Sequence, residues 1–174
     1  MASVFDTIRQ AAGDRDLSIN WYKKKVADLS NRISAARLMR DGTLKRTPSF
    51  NKLHFFRYDP KLKATLPYYD IFPLVMPIQA AKGGFLGINF HYLPIPLRMR
   101  LLDTLDKRGF RGNYSRLKNI REVKPTIKHY LRQQFRSGFL ELEEDDYAPS
   151  IFMPVAQFRK ASASQVWRDS RRII

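Results

Sequence analysis

The sequence predicts an α+β fold, in which a small, bent, barrel-like antiparallel sheet is covered by helices. Three observations support this prediction. The composition is that of a folded domain, with 44% hydrophobic and 28% charged residues in a chain of 174. The centre of the chain holds three β-rich segments joined by short turns. Amphipathic helical segments follow these strands. We also expect a helical N-terminal arm and a basic C-terminal arm.

Residues 1–50 are expected to form the N-terminal arm and a linker. Apolar spacing predicts a first helix over residues 3–12, and a second that starts after Ser18 and ends at Asp41. The second helix carries a narrow apolar seam flanked by lysines, which suits docking on an acidic neighbouring protein. The expected protein-docking residues, with one aromatic near the C-terminus, are Tyr22, Val26, Leu29, Ile33, Lys23, Lys24, Lys25 and Trp167.

Residues 51–160 are expected to form the α+β core domain. The predicted strands at its centre are residues 53–58, 71–78 and 85–92. Pro73 and Pro77 remove backbone donors, so they predict that the middle strand lies at an edge or is bulged. Gly87 is expected at a bulge or a point of close backbone approach.

The second half of the core domain is predicted to add helices and a final strand pair. Helices are expected over residues 96–108 and 125–136, and strand 139–142 is expected to pair with residues 151–155. Residues 161–174 form the predicted C-terminal arm. The side chains expected to be buried together are Phe55, Leu74, Phe85, Ile88, Leu101, Leu105, Leu131 and Phe135.

The charge is the strongest physical signal in the sequence. There are 32 Lys and Arg against 16 Asp and Glu, a net charge of +16, and residues 101–140 hold ten of the basic side chains. Such an excess favours an anionic partner, either an acidic protein surface or double-stranded DNA. The candidate nucleic-acid-binding residues are Arg108, Arg111, Arg116, Lys118, Arg121, Lys124, Lys128, Arg132 and Arg136.

The residues do not favour an enzyme. Cysteine is absent, and the three histidines are far apart in the chain. A metal nuclease could use Asp59 and Asp70 with the Glu122-x-Lys124 pair, but this pair directly precedes Pro125 between two predicted helices rather than lying on a core strand. We therefore expect no catalytic residues, no metal, no cofactor and no small-molecule substrate. The two aspartates are expected to cap turns through backbone hydrogen bonds.

The sequence also predicts an intracellular protein without a membrane partner. No run of about 18 apolar residues is present, and residues 1–10 lack the apolar stretch of a secretory signal.

The central part of the chain resembles virion structural proteins of T-even-type and jumbo tailed phages. The resemblance covers about residues 53–174. The strings that carry it are Tyr58–Lys61, Leu66–Asp70, Phe72–Val75, Gly84–Gly87, His91–Leu93, Pro154–Ser162 and Val166–Ser170. It implies a non-enzymatic tail, baseplate or packaged-DNA-associated component of the virion, assembled in the host cytoplasm, with other virion proteins as partners. The leading interpretation is a tail or baseplate protein, and the alternative is a basic protein that coats or protects packaged DNA ends.

Overall fold

The computed structural model describes residues 2–174. Helices α1 to α7 are Val4–Ala12, Ile19–Asp28, Ala35–Asp41, Ile95–Lys107, Tyr114–Leu117, Tyr147–Ser150 and Ala163–Ile173. Strands β1 to β7 are His54–Phe55, Tyr69–Asp70, Leu74–Ala81, Gly84–Asn89, Ile127–Leu131, Leu140–Glu141 and Phe158–Arg159. Short 3-10 turns include Ser30–Arg32, Arg121–Thr126, Arg132–Gln134 and Glu144–Asp146.

Five strands form one antiparallel sheet in the order β5-β4-β3-β1-β6, while β2 and β7 form a separate two-stranded ribbon. The predicted α+β class is confirmed. The sheet is open rather than closed into a barrel, because β5 and β6 lie at opposite edges and do not pair with each other.

The two faces of the sheet bury different hydrophobic clusters. Leu74 and Met76 point to the main core with the helices, whereas Val75, between them, points to the other face. This alternation follows from the two-residue period of a strand. The second face is largely aromatic, and its members are Phe56, Tyr58, Val75, Phe85, Tyr130, Phe139 and the half-buried Phe135.

The N-terminal helices begin at serines that cap them. Ser3 and Asp6 form a reciprocal capping box at α1, and Ser18 caps α2. The prediction of one continuous helix from Ser18 to Asp41 is wrong. Helix α2 ends at Asp28, a 3-10 turn follows, and Ser34 accepts a hydrogen bond from the backbone N–H of Arg37 to start α3.

Helices α1 to α3 contribute side chains to the main core. Val4, Phe5, Ile8, Val26 and Leu38 are buried in the same cluster as the sheet's core residues. The division of the chain at residues 51 and 161 stays a prediction.

The predicted helix over residues 125–136 is wrong, because residues 127–131 form edge strand β5, paired with β4 from Ile88 to Gly84. Apolar residues four apart lie on one face of a strand as well as on one face of a helix, so this spacing alone does not distinguish a strand from a helix. As a result, the side chains expected to be buried together do not all lie in one core. Leu131 and Phe135 are only half-buried, and Phe85 lies in the second cluster, whereas the other five expected residues are buried in the main core.

One further strand prediction is wrong, whereas the prediction that the middle strand lies at an edge or is bulged is confirmed in its second alternative. Residues 151–155 form a turn after α6 instead of pairing with β6, whose partner is β1. Strand β3 is central rather than at an edge, although its register shifts between Pro77 and Gln79, as a bulge requires. Gly87 is a point of close approach, since a Cβ there would overlap Val75 Cγ1.

Candidate nucleic-acid interface

A row of cations follows the β5 edge of the sheet. Five basic residues lie on β5 or within six residues of its ends, and we call them the cationic edge: Arg121, Lys124, Lys128, Arg132 and Arg136. All are exposed except Lys128, which is half-buried. The strand and its two flanking 3-10 turns therefore present positive charge along one border of the sheet.

Most of the predicted nucleic-acid-binding cations lack a carboxylate partner. Within residues 2–174, Arg136 is the only one of the nine that makes an ion pair, with Asp59 at 3.6 Å. Four of the nine lie upstream, at the end of α4 and around α5, and are exposed: Arg108, Arg111, Arg116 and Lys118. Cations without internal partners are free to bind external anions.

A cleft of about 410 Å³ opens beside the cationic edge, and we call it the tyrosine cleft. Its lining comes from the chain segment between β1 and β3, from β5, and from Tyr92. Five tyrosines and three basic side chains from these elements line it: Tyr58, Tyr68, Tyr69, Tyr92, Tyr130, Lys61, Lys128 and His129. Aromatic rings and cations in one concave site are the groups that bind bases and phosphates.

The loop on one side of the cleft is held by a single lysine. Lys160 Nζ donates hydrogen bonds to the carbonyl oxygens of Lys63, Ala64 and Leu66, at 2.8, 3.1 and 2.9 Å. The pairing of β2 with β7 brings Lys160 to this loop. The Pro60–Tyr69 side of the cleft is therefore fixed by the fold.

Lys128 provides the most unusual charge in the cleft. Its Nζ lies 3.9 Å from the centre of the Tyr92 ring. Burial lowers the pKa of Lys128 to about 8. Asp70 also lines the cleft, but its carboxylate accepts hydrogen bonds from Asn89 and from the backbone N–H of Phe72 and contacts His91. Lys128 thus has an aromatic neighbour and, within residues 2–174, no carboxylate in an ion pair to compensate its burial.

The buried His91–Asp70 pair is a structural network behind the cleft wall, which Asp70 helps to line. His91 Nδ1 lies 2.8 Å from Asp70 Oδ2, and both side chains are fully buried. Burial lowers the pKa of His91. Burial also disfavours the charged form of Asp70, but hydrogen bonds and the contact with His91 hold the pKa of this carboxyl below its usual range. The prediction that Asp70 caps a turn is confirmed by its bond from Phe72 N–H at 3.0 Å.

The same prediction is wrong for Asp59. Its carboxylate pairs with Lys63 at 2.9 Å and with Arg136, both side-chain partners. Within residues 2–174, no three His, Asp or Glu side chains are grouped to hold a metal ion. Glu122 instead pairs with Arg100.

The predicted docking residues occupy two different environments. Val26 and Ile33 are buried in the main core, and Tyr22 and Leu29 pack against it, so the apolar seam faces the protein's own interior. Lys23 and Lys24 are exposed, whereas Lys25 is half-buried. On α7, the half-buried Trp167 donates from Nε1 to His91 O at 2.9 Å and packs over the buried guanidinium of Arg98.

Sequence reasoning missed the tyrosine cleft. Tyr68 and Tyr69 lie within the Leu66–Asp70 string that carries the phage resemblance, and two adjacent tyrosines after a proline were a visible signal. The approach of this string to β5 could not be seen, because residues 125–136 read as a helix.

No helix among residues 2–174 has the length and apolar character to cross a membrane.

Comparison with known proteins places the chain in a family. No curated protein and no solved structure matches the chain. A family model described as phage T4 terminal DNA protecting protein matches residues 5–170, which confirms the resemblance to T-even-type phage proteins and extends it towards the N-terminus. The chain therefore belongs to the phage T4 terminal DNA protecting protein family.

Proposed function

We propose that this protein binds the ends of linear double-stranded phage DNA and shields them from nucleases by occupancy rather than by catalysis. The family description favours this function over a tail or baseplate role, because it refers to protection of terminal DNA.

The unpaired cations of the cationic edge carry the proposal. Arg121, Lys124 and Arg132 are exposed, and none makes an ion pair within residues 2–174. Because phosphate contacts are made by such side chains without regard to sequence, the surface suits a ligand defined by its backbone. A protein that protects DNA ends needs this indifference to sequence.

The first test compares DNA with and without ends. The intact protein is titrated with a linear duplex and with a covalently closed dumbbell of the same length and sequence. We expect tighter binding to the linear duplex, together with slower digestion of that duplex by an exonuclease. Equal affinity for the two DNAs would contradict an end-binding function, even if both are bound tightly.

The second test removes charge from the proposed surface. The triple variant Arg121→Gln, Lys124→Gln, Arg132→Gln should bind the linear duplex at least tenfold more weakly at physiological salt. The matched control is Lys23→Gln, Lys24→Gln, Lys25→Gln, which removes the same charge from α2. The control should retain the affinity of the unaltered protein. Equal weakening in both variants would indicate attraction by net charge alone.

Docking on an acidic virion protein is a second candidate function, and it rests on the exposed Lys23 and Lys24 of α2. The α2 triple variant tests it separately. Loss of assembly into particles, with DNA binding intact, is the result expected from a docking role of α2.

A further inference from the structure

The geometry points to the tyrosine cleft as a pocket for the terminal, unpaired nucleotide of a DNA end, with a base against Tyr68 and a phosphate at Lys128. This inference rests on the proposed end-binding function and names the part of the DNA that gives the preference for ends.

The size of the cleft fits one nucleotide and excludes a duplex. Its volume of about 410 Å³ lies within the range of about 300–1,000 Å³ of pockets that enclose small ligands. A base can enter only after it leaves the stack, and base pairs fray at an end. The interior of a duplex would have to be opened first, which costs unstacking energy.

Tyr68 and Tyr69 are the rings available for stacking. Both are half-buried, whereas Tyr58, Tyr92 and Tyr130 are buried beneath them. The Tyr68 and Tyr92 rings lie 6.2 Å apart, so the buried Tyr92 ring supports the half-buried Tyr68 ring. Every base has an aromatic face, and stacking on such a ring is therefore indifferent to sequence.

Lys128 supplies the charge that a phosphate needs. Lys128 is half-buried, its ammonium lies over the Tyr92 ring, and it has no ion-pair partner within residues 2–174. Arg132, which follows on the cationic edge just after the end of β5, is exposed and equally unpaired. A phosphate at the mouth of the cleft would place its charge against Lys128 while the rest of the strand follows the cationic edge.

The test uses the intact protein and three DNA probes of one sequence. They are a hairpin whose single end carries a four-nucleotide single-stranded tail, the same hairpin with a blunt end, and a closed dumbbell. The variants are Tyr68→Ala and Lys128→Gln. The controls are Tyr68→Phe, which keeps the ring, and Lys24→Gln, which removes one charge from α2. Thermal unfolding of each variant checks that the fold is retained.

Tyr68→Ala and Lys128→Gln should each weaken binding to the tailed hairpin by about tenfold, the effect expected from removing one base–aromatic stack or one buried phosphate contact. Tyr68→Ala should keep its affinity for the dumbbell, whereas Lys128→Gln, which also removes one cation from the cationic edge, should weaken dumbbell binding less than it weakens binding to the tailed hairpin. Both controls should bind all three probes like the unaltered protein. If the unaltered protein prefers ends and the two variants keep that preference, the cleft is not the end-binding site. If the unaltered protein shows no preference, the proposed function itself fails.

A crosslinking experiment tests the same site without any variant. 5-Iododeoxyuridine is placed either at the terminal position of the tail or ten base pairs inside the hairpin. Photocrosslinks from the terminal position should map to Tyr68, Tyr69 or Tyr92 by mass spectrometry, and internal crosslinks should map elsewhere. Terminal crosslinks confined to the exposed Tyr114 of α5 would overturn the assignment.

Discussion

At the scale of single residues, Lys128 is the side chain whose chemistry depends most on its surroundings. Burial lowers its pKa to about 8, and a bound phosphate would favour the charged form and raise the pKa again. Binding of a phosphorylated strand should therefore be accompanied by proton uptake above pH 8. The other titratable side chains that line the cleft are Tyr58, Tyr68, Tyr69, Tyr92, Tyr130, Lys61, Asp70 and His129.

We predict that the affinity of a 5′-phosphorylated single-stranded oligonucleotide falls between pH 7.5 and 9.5 as Lys128 loses its proton. The fall over this range should total about tenfold, the loss expected for Lys128→Gln, since deprotonation removes the same charge that binds phosphate. Lys128→Arg keeps its charge over this range and should bind with little dependence on pH. Isothermal titration calorimetry in buffers of different ionisation enthalpy measures the affinity and the proton uptake together. An equal slope in the arginine variant would assign the pH dependence to another group.

Gly87 has no room for a side chain because of a neighbouring residue. A Cβ at this position would overlap Val75 Cγ1 in the neighbouring strand. Gly87→Ala should lower the free energy of unfolding by about 1–3 kcal/mol through overpacking. Adding Val75→Ala should recover part of that stability, so the double variant is less destabilised than the sum of the singles. Urea denaturation of the four proteins measures the coupling, and strict additivity would show that the clash is relieved elsewhere.

At the scale of elements, one charged pair links α1, beside its buried apolar residues, to the Glu144–Asp146 turn. Arg9 donates to the buried Asp146 of the Glu144–Asp146 turn. Burial raises the pKa of Asp146 to about 6, and the neighbouring Asp145 and Glu143 add to the shift against the opposing effect of Arg9. The folded-state pKa exceeds the ordinary value of 3.8, so Asp146 is easier to bury when it is protonated.

We predict that Asp146 makes the protein less stable as the pH rises from about 4 to about 6, with a contribution on the order of 3 kcal/mol. The native state holds the Asp146 proton in this range and the unfolded state has released it, so ionisation favours unfolding. Asp146→Asn lacks this titration. The difference in unfolding free energy between the variant and the unaltered protein should therefore shift in favour of the variant across this pH range. A difference that stays constant from pH 4 to 6.5 would contradict the raised pKa.

At the scale of the whole molecule, the net charge of +16 is spread over several elements. The cationic edge holds only part of this positive charge. When particular side chains bind phosphates, each neutralised phosphate releases counterions and makes the affinity depend more steeply on salt concentration. Removing such a side chain should therefore change the salt dependence, whereas removing a cation that contributes only to the overall charge should not.

We predict that the slope of log affinity against log salt concentration for a linear duplex becomes shallower by about 2.7 in the variant Arg121→Gln, Lys124→Gln, Arg132→Gln, about 0.9 for each DNA phosphate that the variant no longer neutralises. The α2 variant at residues 23–25 carries the same net charge and should keep the original slope. Fluorescence anisotropy between 50 and 300 mM salt measures both. An equal change in the two slopes would mean that the β5 edge does not bind a fixed set of phosphates.

The sequence by itself determined the fold class, the cap at Ser18, the close approach at Gly87 and the basic character of residues 101–140. These features depend on neighbours within a few positions, on backbone geometry or on composition. The family resemblance was likewise readable, because it lies in contiguous strings such as Leu66–Asp70.

Only the tertiary structure decided that residues 127–131 form a strand, since pairing with β4 overrides a spacing that suits a helix equally well. That strand divides the predicted core between two faces, places Lys128 against Tyr92 and forms the tyrosine cleft with a loop some sixty residues away. Tertiary packing also turned the apolar seam of α2 inward, because Val26 and Ile33 gain more from burial in the main core than from contact with water. Contacts between distant segments set the site, and no local pattern encodes them.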